Sequence, residues 1–145
     1  MIAERATLVS DLHASAARTA LRWLVALFFL AGGITHLYAP DKFVLITPDW
    51  VPMARDVILA SGVFEIFASI ALLTRSWRKA AGIALALYTL AVWPANIKQA
   101  VEGIDVPPIP NSWWYHGPRL ALQPVIVWMA LYAGEVINWP WRKQR

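Results

Sequence analysis

The stretch Ala60-Ser-Gly-Val-Phe-Glu65 places a carboxylate inside an apolar run long enough to cross a bilayer. Putting an Asp, the nearest relative of Glu, at a span centre costs at least about 2.5 kcal/mol, so a glutamate there needs a partner, a proton or a purpose. Ser61 and Ser69 stand one helical turn to either side of Glu65, on the same face. His36, Asn96, Arg119 and Gln123 fall near the ends of the other apolar runs, at the end of the bundle that Glu65 is nearer to. These five side chains are expected to meet in one polar cluster below one membrane surface. At 1.5 Å per residue, Glu65 is expected roughly 12 Å below that surface.

Each member has a functional and a structural reading. Glu65 is suited to carrying a proton or to binding a polar headgroup, or to a buried tie to Arg119, Asn96 or His36 that fixes helix register. His36 could exchange protons with Glu65 or bind a quinone carbonyl, or it could bond a loop carbonyl. Arg119 is the natural counter-charge for Glu65, because its planar fork binds a carboxylate bidentately. Its structural alternative is snorkelling to lipid phosphates. Gly32 and Gly33 let a helix or a ligand approach closely, and Ser61 and Gly62 lie on the Glu65 helix. Pro94 should kink its helix near Leu90 and leave a carbonyl free, with Asn96 just beyond it. Pro118 suits a first helical position, and Pro124 adds an irregularity. Glu135, near the opposite end, is expected to pair with Arg22 or Arg78.

Other chemistries find little purchase. The chain has no cysteine, which excludes disulfides, thiol chemistry and Cys-ligated clusters. No second histidine stands at ligand spacing from His36, so no metal site is expected. A phosphate-binding P-loop, a dinucleotide fingerprint, a nucleophile elbow and an HExxH pair are all missing. A self-contained hydrolase or nucleotide enzyme is therefore not expected.

The elements that must position these residues are membrane helices. The apolar fraction is 59%, the charged fraction 15% and the mean hydropathy +0.49, all displaced toward lipid. Four runs, 20–37, 57–73, 80–97 and 120–137, are near the length that crosses about 30 Å of hydrocarbon. Backbone polar groups in lipid must be satisfied internally, and the runs lack strand alternation, so helices are expected. The fold expected is all-α, a four-transmembrane-helix bundle. Residues 1–19 form a tail or surface helix, 20–137 the membrane domain, and 138–145 a basic tail.

Nine Lys and Arg flank one side (Arg5, Arg18, Arg22, Arg75, Arg78, Lys79, Arg142, Lys143, Arg145), against four on the other (Lys42, Arg55, Lys98, Arg119). The positive-inside rule then puts both termini in the cytoplasm of a cell with an inner membrane. The same assignment gathers Trp23, Trp77, Trp139 and Trp141 at one boundary and Trp50, Trp113 and Trp114 at the other. Charge placed at membrane flanks argues against nucleic acid as a partner. The short 74–79 connection makes the second and third helices antiparallel neighbours. Two longer loops, 38–56 and 98–117, carry prolines and aromatics and are expected to form a lid over the cluster.

Taken together, Ala31-Gly-Gly-Ile-Thr-His-Leu-Tyr-Ala-Pro40, Phe43 to Pro48, Ser61-Gly-Val-Phe-Glu65, Leu72-Leu73 with Arg78 beyond, Pro94-Ala-Asn-Ile97 and Arg119-Leu-Ala-Leu-Gln123 resemble the DoxX-like family. The resemblance spans residues 24–132. Its typical positions fall on His36, Pro40, Gly62, Glu65, Pro94, Asn96, Arg119 and Gln123. Lys98 and the tryptophan-rich second loop depart from the family pattern. The resemblance implies a four-helix membrane fold and an accessory place in a membrane oxidoreductase assembly, with quinone as the implied small molecule and redox enzyme subunits as partners. The rival expectation is a scaffold or assembly factor whose cluster only locks helix packing. A transporter reading would require a homo-oligomer.

Overall fold

The computed structural model describes residues 2–139, with side chains described from Ser15. It is all-helical, with no strand among the described residues. Helix α1 (Ile2–Tyr38) leads through the short α2 (Pro40–Val44) to α3 (Ala54–Leu73). A tight turn then joins α3 to α4 (Arg78–Glu102), and α5 (Trp113–Ala121) and α6 (Gln123–Ala133) complete the bundle.

Three helices are long and apolar enough to cross a membrane: Ser15–Tyr38 within α1, Ala54–Leu73 and Arg78–Glu102. In the most apolar window of each, only 28% of the residues are buried inside the protein. Phe28, Phe67, Ile70 and Leu87 point outward and are more than half exposed, a pattern that water would penalise and lipid satisfies. The chain is a multi-pass membrane protein in contact with the bilayer.

Small residues dominate the shared core. Ala26, Ala68, Ala81, Ala86, Ala130 and Ala133 pack around Phe29, Leu72 and Leu85. Lipid tails are as apolar as leucine, so helices associate through close van der Waals contact instead of hydrophobic exclusion. Two glycine contacts set the closest crossings. A Cβ at Gly33 on α1 would stand 2.6 Å from the Gly62 carbonyl on α3, and one at Gly62 would stand 2.9 Å from the Gly33 carbonyl. Between α4 and the end of α6, a Cβ at Gly82 would come within 2.8 Å of Gly134 Cα.

The helix ends differ from the sequence expectation in instructive ways. Backbone helicity runs without a break from Ile2 into the first span. α4 continues through Pro94 as one helix and reaches Glu102, five residues past the apolar run. The final run is divided. Pro124 has no N–H for the Leu120 carbonyl, and the helix breaks at Leu122 before resuming as α6. Helix α5 begins at Trp113, seven residues before that run, so Pro118 lies inside a helix and not at its first position. The basic tail with Trp141, Arg142, Lys143 and Arg145 lies outside the described residues, as do the side chains of Arg5 and His13.

Candidate functional site

A cavity of about 1340 Å³ opens at the end of the bundle nearest Glu65. All five residues of the expected cluster, His36, Glu65, Asn96, Arg119 and Gln123, line it, together with Gly32 and Ser61. Gly33, Gly62 and Pro94 are not on its wall. The two glycines act one step back, at the α1–α3 crossing that sets the spacing of the wall.

That crossing decides who meets Glu65. Glu65 is the twelfth residue of α3, roughly 16 Å along the helix from its start at Ala54. Its carboxylate nestles against Gly32, where a Cβ would sit 3.2 Å from both oxygens. His36, one turn further along α1, brings Nδ1 to 3.0 Å from Glu65 Oε2, and both side chains are almost wholly buried. The Ser61 hydroxyl donates to the Ile58 carbonyl at 2.8 Å, so at its 3.3 Å contact with His36 Nδ1 it can only accept. This assigns the proton to Nδ1, where it is shared between Ser61 Oγ and the Glu65 carboxylate. The alignment favours the serine, and Glu65 Oε2 is left without a hydrogen bond. Phe43 of α2 closes over the imidazole, edge to face at 4.1 Å.

Arg119 does not pair with Glu65. Its guanidinium donates to Gln99 Oε1 at 2.7 Å and to Asn96 Oδ1. Both amides lie on one face of α4, three residues apart, and α5 packs directly on that face. The expected bidentate pair does not form, because Arg119 is engaged by Asn96 and Gln99 on α4 and His36 on α1 stands next to the carboxylate. The site therefore has two halves: His36–Glu65–Ser61 on α1 and α3, and Arg119–Asn96–Gln99 on α4 and α5.

Two further residues belong to the wall. Tyr88 on α4 packs against Phe64 at 5.3 Å and Phe29 at 6.3 Å, with its hydroxyl beside Ser61 and Glu65. Gln123 at the start of α6 is 5% exposed, and its Oε1 has no hydrogen-bond partner. Gln99, Tyr88 and Thr89 were not singled out from sequence, although polar residues within or just past an apolar run are the same signal that marked Asn96. Buried polar atoms are nearly always bonded, so an orphan on a cavity wall calls for explanation.

The loops close over the mouth as expected, and cations hold them there. Lys98 donates to Asp49 at 2.7 Å and to the Thr47 carbonyl at 3.0 Å, clamping the first loop onto α4. Lys42 donates to the Pro107 carbonyl at 2.7 Å, tying the first loop to the second. Trp50, Val106, Pro107 and Trp114 complete the rim. Beside it, His116 donates from Nε2 to Asn111 Oδ1 at 3.2 Å, because the Asn111 amide donates to the Gly103 carbonyl. Burial, with Arg119 nearby, holds the His116 imidazole below its ordinary pKa.

Among the described residues no three His, Asp or Glu side chains converge as a metal site. Residues 24–133 match the family described as Domain of unknown function (DUF8561). The chain belongs to this family. No curated protein and no solved structure matches it.

Proposed function

We propose that this is a DoxX-like inner-membrane protein with four spans and cytoplasmic termini, an accessory subunit that binds a quinone or similar lipid-soluble molecule beside a membrane redox partner. The single observation that carries the reading is the cavity, mostly apolar and with a few polar side chains, His36, Glu65 and Gln123 among them, on its wall. Its size is ample for an aromatic headgroup and the first part of an isoprenoid tail, and a few polar groups on apolar walls are what such ligands require. The near-continuous α5 and α6 would supply the fourth span. The excess of Lys and Arg beside Arg22 and Arg78 favours that end as cytoplasmic, which would open the cavity toward the outer surface.

The test is binding with folding monitored in parallel. Protein extracted in mild detergent is expected to carry about one quinone-class molecule per chain. Glu65→Gln is expected to lose that molecule while keeping the helical circular dichroism and melting temperature of the parent. Unchanged retention in the variant sinks the reading.

The scaffold reading draws on a different observation: Arg119 ties α5 to α4 through bonds to Asn96 and Gln99 within the chain. It expects a non-redox polypeptide to co-purify with no small molecule in the cavity.

A further inference from the structure

Arg119 decides which way two amides on the cavity wall must face. A guanidinium can only donate, so Gln99 and Asn96 turn their oxygens to it and their NH2 groups away. The flip that is ordinarily open to such amides is thereby closed. Both residues line the cavity, three apart on one face of α4, and Gln99 is only 1% exposed. Among the described residues no protein acceptor takes either NH2 group, and Arg119 keeps further N–H groups beside them. The α1–α3 half of the wall is different, because its polar groups engage one another. His36 stands between Glu65 and Ser61, and the Tyr88 hydroxyl lies beside the same two residues. No partner holds Gln123 Oε1, so that amide can present either end. The unspent donors with a fixed direction are therefore those of α4 and α5. In an apolar cavity an unmet donor is costly, and an acceptor oxygen on the occupant removes the cost.

We propose that Asn96 and Gln99 hold the ligand's headgroup, donating their NH2 groups to a carbonyl oxygen of a quinone-class molecule, with Arg119 as the positioning residue that keeps them aimed. This rests on the binding reading given above. A carbonyl oxygen has two lone pairs and can accept from both amides at once. The guanidinium behind them places a fixed positive charge where the oxygen carries partial negative charge. Replacing either amide by its acid then separates binding from structure. Gln99→Glu and Asn96→Asp keep an oxygen for Arg119 but remove the NH2 donor, at nearly unchanged size.

The experiment is an equilibrium titration of the full chain in lipid nanodiscs with ubiquinone-1, with protein-free nanodiscs subtracted. Each acid variant is expected to bind ubiquinone-1 at least about fivefold more weakly, as the loss of one hydrogen bond implies. The ligand-free acid variants are expected to melt at or above the temperature of the parent, because the bond to Arg119 becomes an ion pair. In the infrared spectrum, one carbonyl band of bound ubiquinone-1 is expected at lower frequency than in protein-free nanodiscs. Arg119→Lys keeps the charge but not the fork, and is expected to return that band toward its free position. Unchanged affinity in both folded acid variants overturns this inference and leaves the binding reading standing. Weaker binding that comes with a lower ligand-free melting temperature also overturns it, since the amides would then serve only the tie to Arg119. Should the acid variants fail to fold, the band decides: one unshifted in the parent, or equally shifted in Arg119→Lys, overturns the inference. Failure of the parent to bind overturns both.

Discussion

At one end of the bundle Glu135 receives Arg22 at 2.8 Å and Arg78 at 3.0 Å through a single carboxylate oxygen. Arg22 also donates to the Ala133 carbonyl at 3.0 Å, and Arg78 reaches the Leu72 and Leu73 carbonyls that end α3. Arg18 adds a bond to Asn138 at 3.0 Å and covers the Tyr132 ring at 4.2 Å. Glu135 itself holds a left-handed backbone, φ 60°, where glycine is usual after a helix. Its two arginines offset that strain. At the other end Glu65 faces His36 Nδ1 at 3.0 Å, and His36 is shared with Ser61. The first carboxylate is half-exposed and held by two arginines through one oxygen, the arrangement of a structural tie. The second is buried beside a histidine on the wall of a large cavity. Polarity in a membrane span therefore does not by itself mark function; a buried polar group on the wall of a cavity is the better sign.

The sharpest way to break this contrast is at the glycines. Gly82→Ala at the tied end drives a methyl into backbone and is expected to cost roughly 3 kcal/mol, read as a lower melting temperature in detergent. Gly32→Ala at the open end meets only the Glu65 carboxylate and is expected to cost under about 1 kcal/mol while weakening ligand binding. Equal losses would erase the distinction. Next in size is the Arg22→Ala and Glu135→Ala double-mutant cycle, for which a coupling of about 2 kcal/mol is expected. Additive losses would show that the tie contributes nothing as a pair.

The smallest effect concerns pH. His116 is held neutral in the fold by burial, then by Arg119, so the unfolded chain takes up a proton first as pH falls. Stability contributed by the neutral ring is complete above about pH 6.5 and declines as pH drops below it. Melts at pH 7.5 and 5.5 should show the parent losing more than His116→Asn, and an equal loss would remove His116 from the account.

The location of the site was legible in the sequence, whereas its pairing was not. Polarity and depth in each apolar run sufficed to bring His36, Glu65, Asn96, Arg119 and Gln123 to one cavity. Arg119, Asn96 and His36 were all open as ties for Glu65, with charge complementarity favouring Arg119, and the Gly33–Gly62 crossing brings His36 to it. Gln99 was overlooked because it lies past the apolar end of its run, in residues that still belong to α4. The start of α5 was missed for a related reason: Trp113-Trp-Tyr-His116 read as interfacial loop, and hydropathy is blind to a helix whose first turns stand at the surface. Glu135 was expected to pair with Arg22 or Arg78, and it receives both because the turn after α3 brings Arg78 beside Arg22.

The most direct test of the contrast is mass spectrometry of the small molecules that remain on the full chain after extraction in mild detergent. The account predicts about one quinone-class molecule per chain, lost on Glu65→Gln and retained on Glu135→Ala. A chain that carries only bulk phospholipid, or one that holds the same molecule in all three proteins, would contradict it.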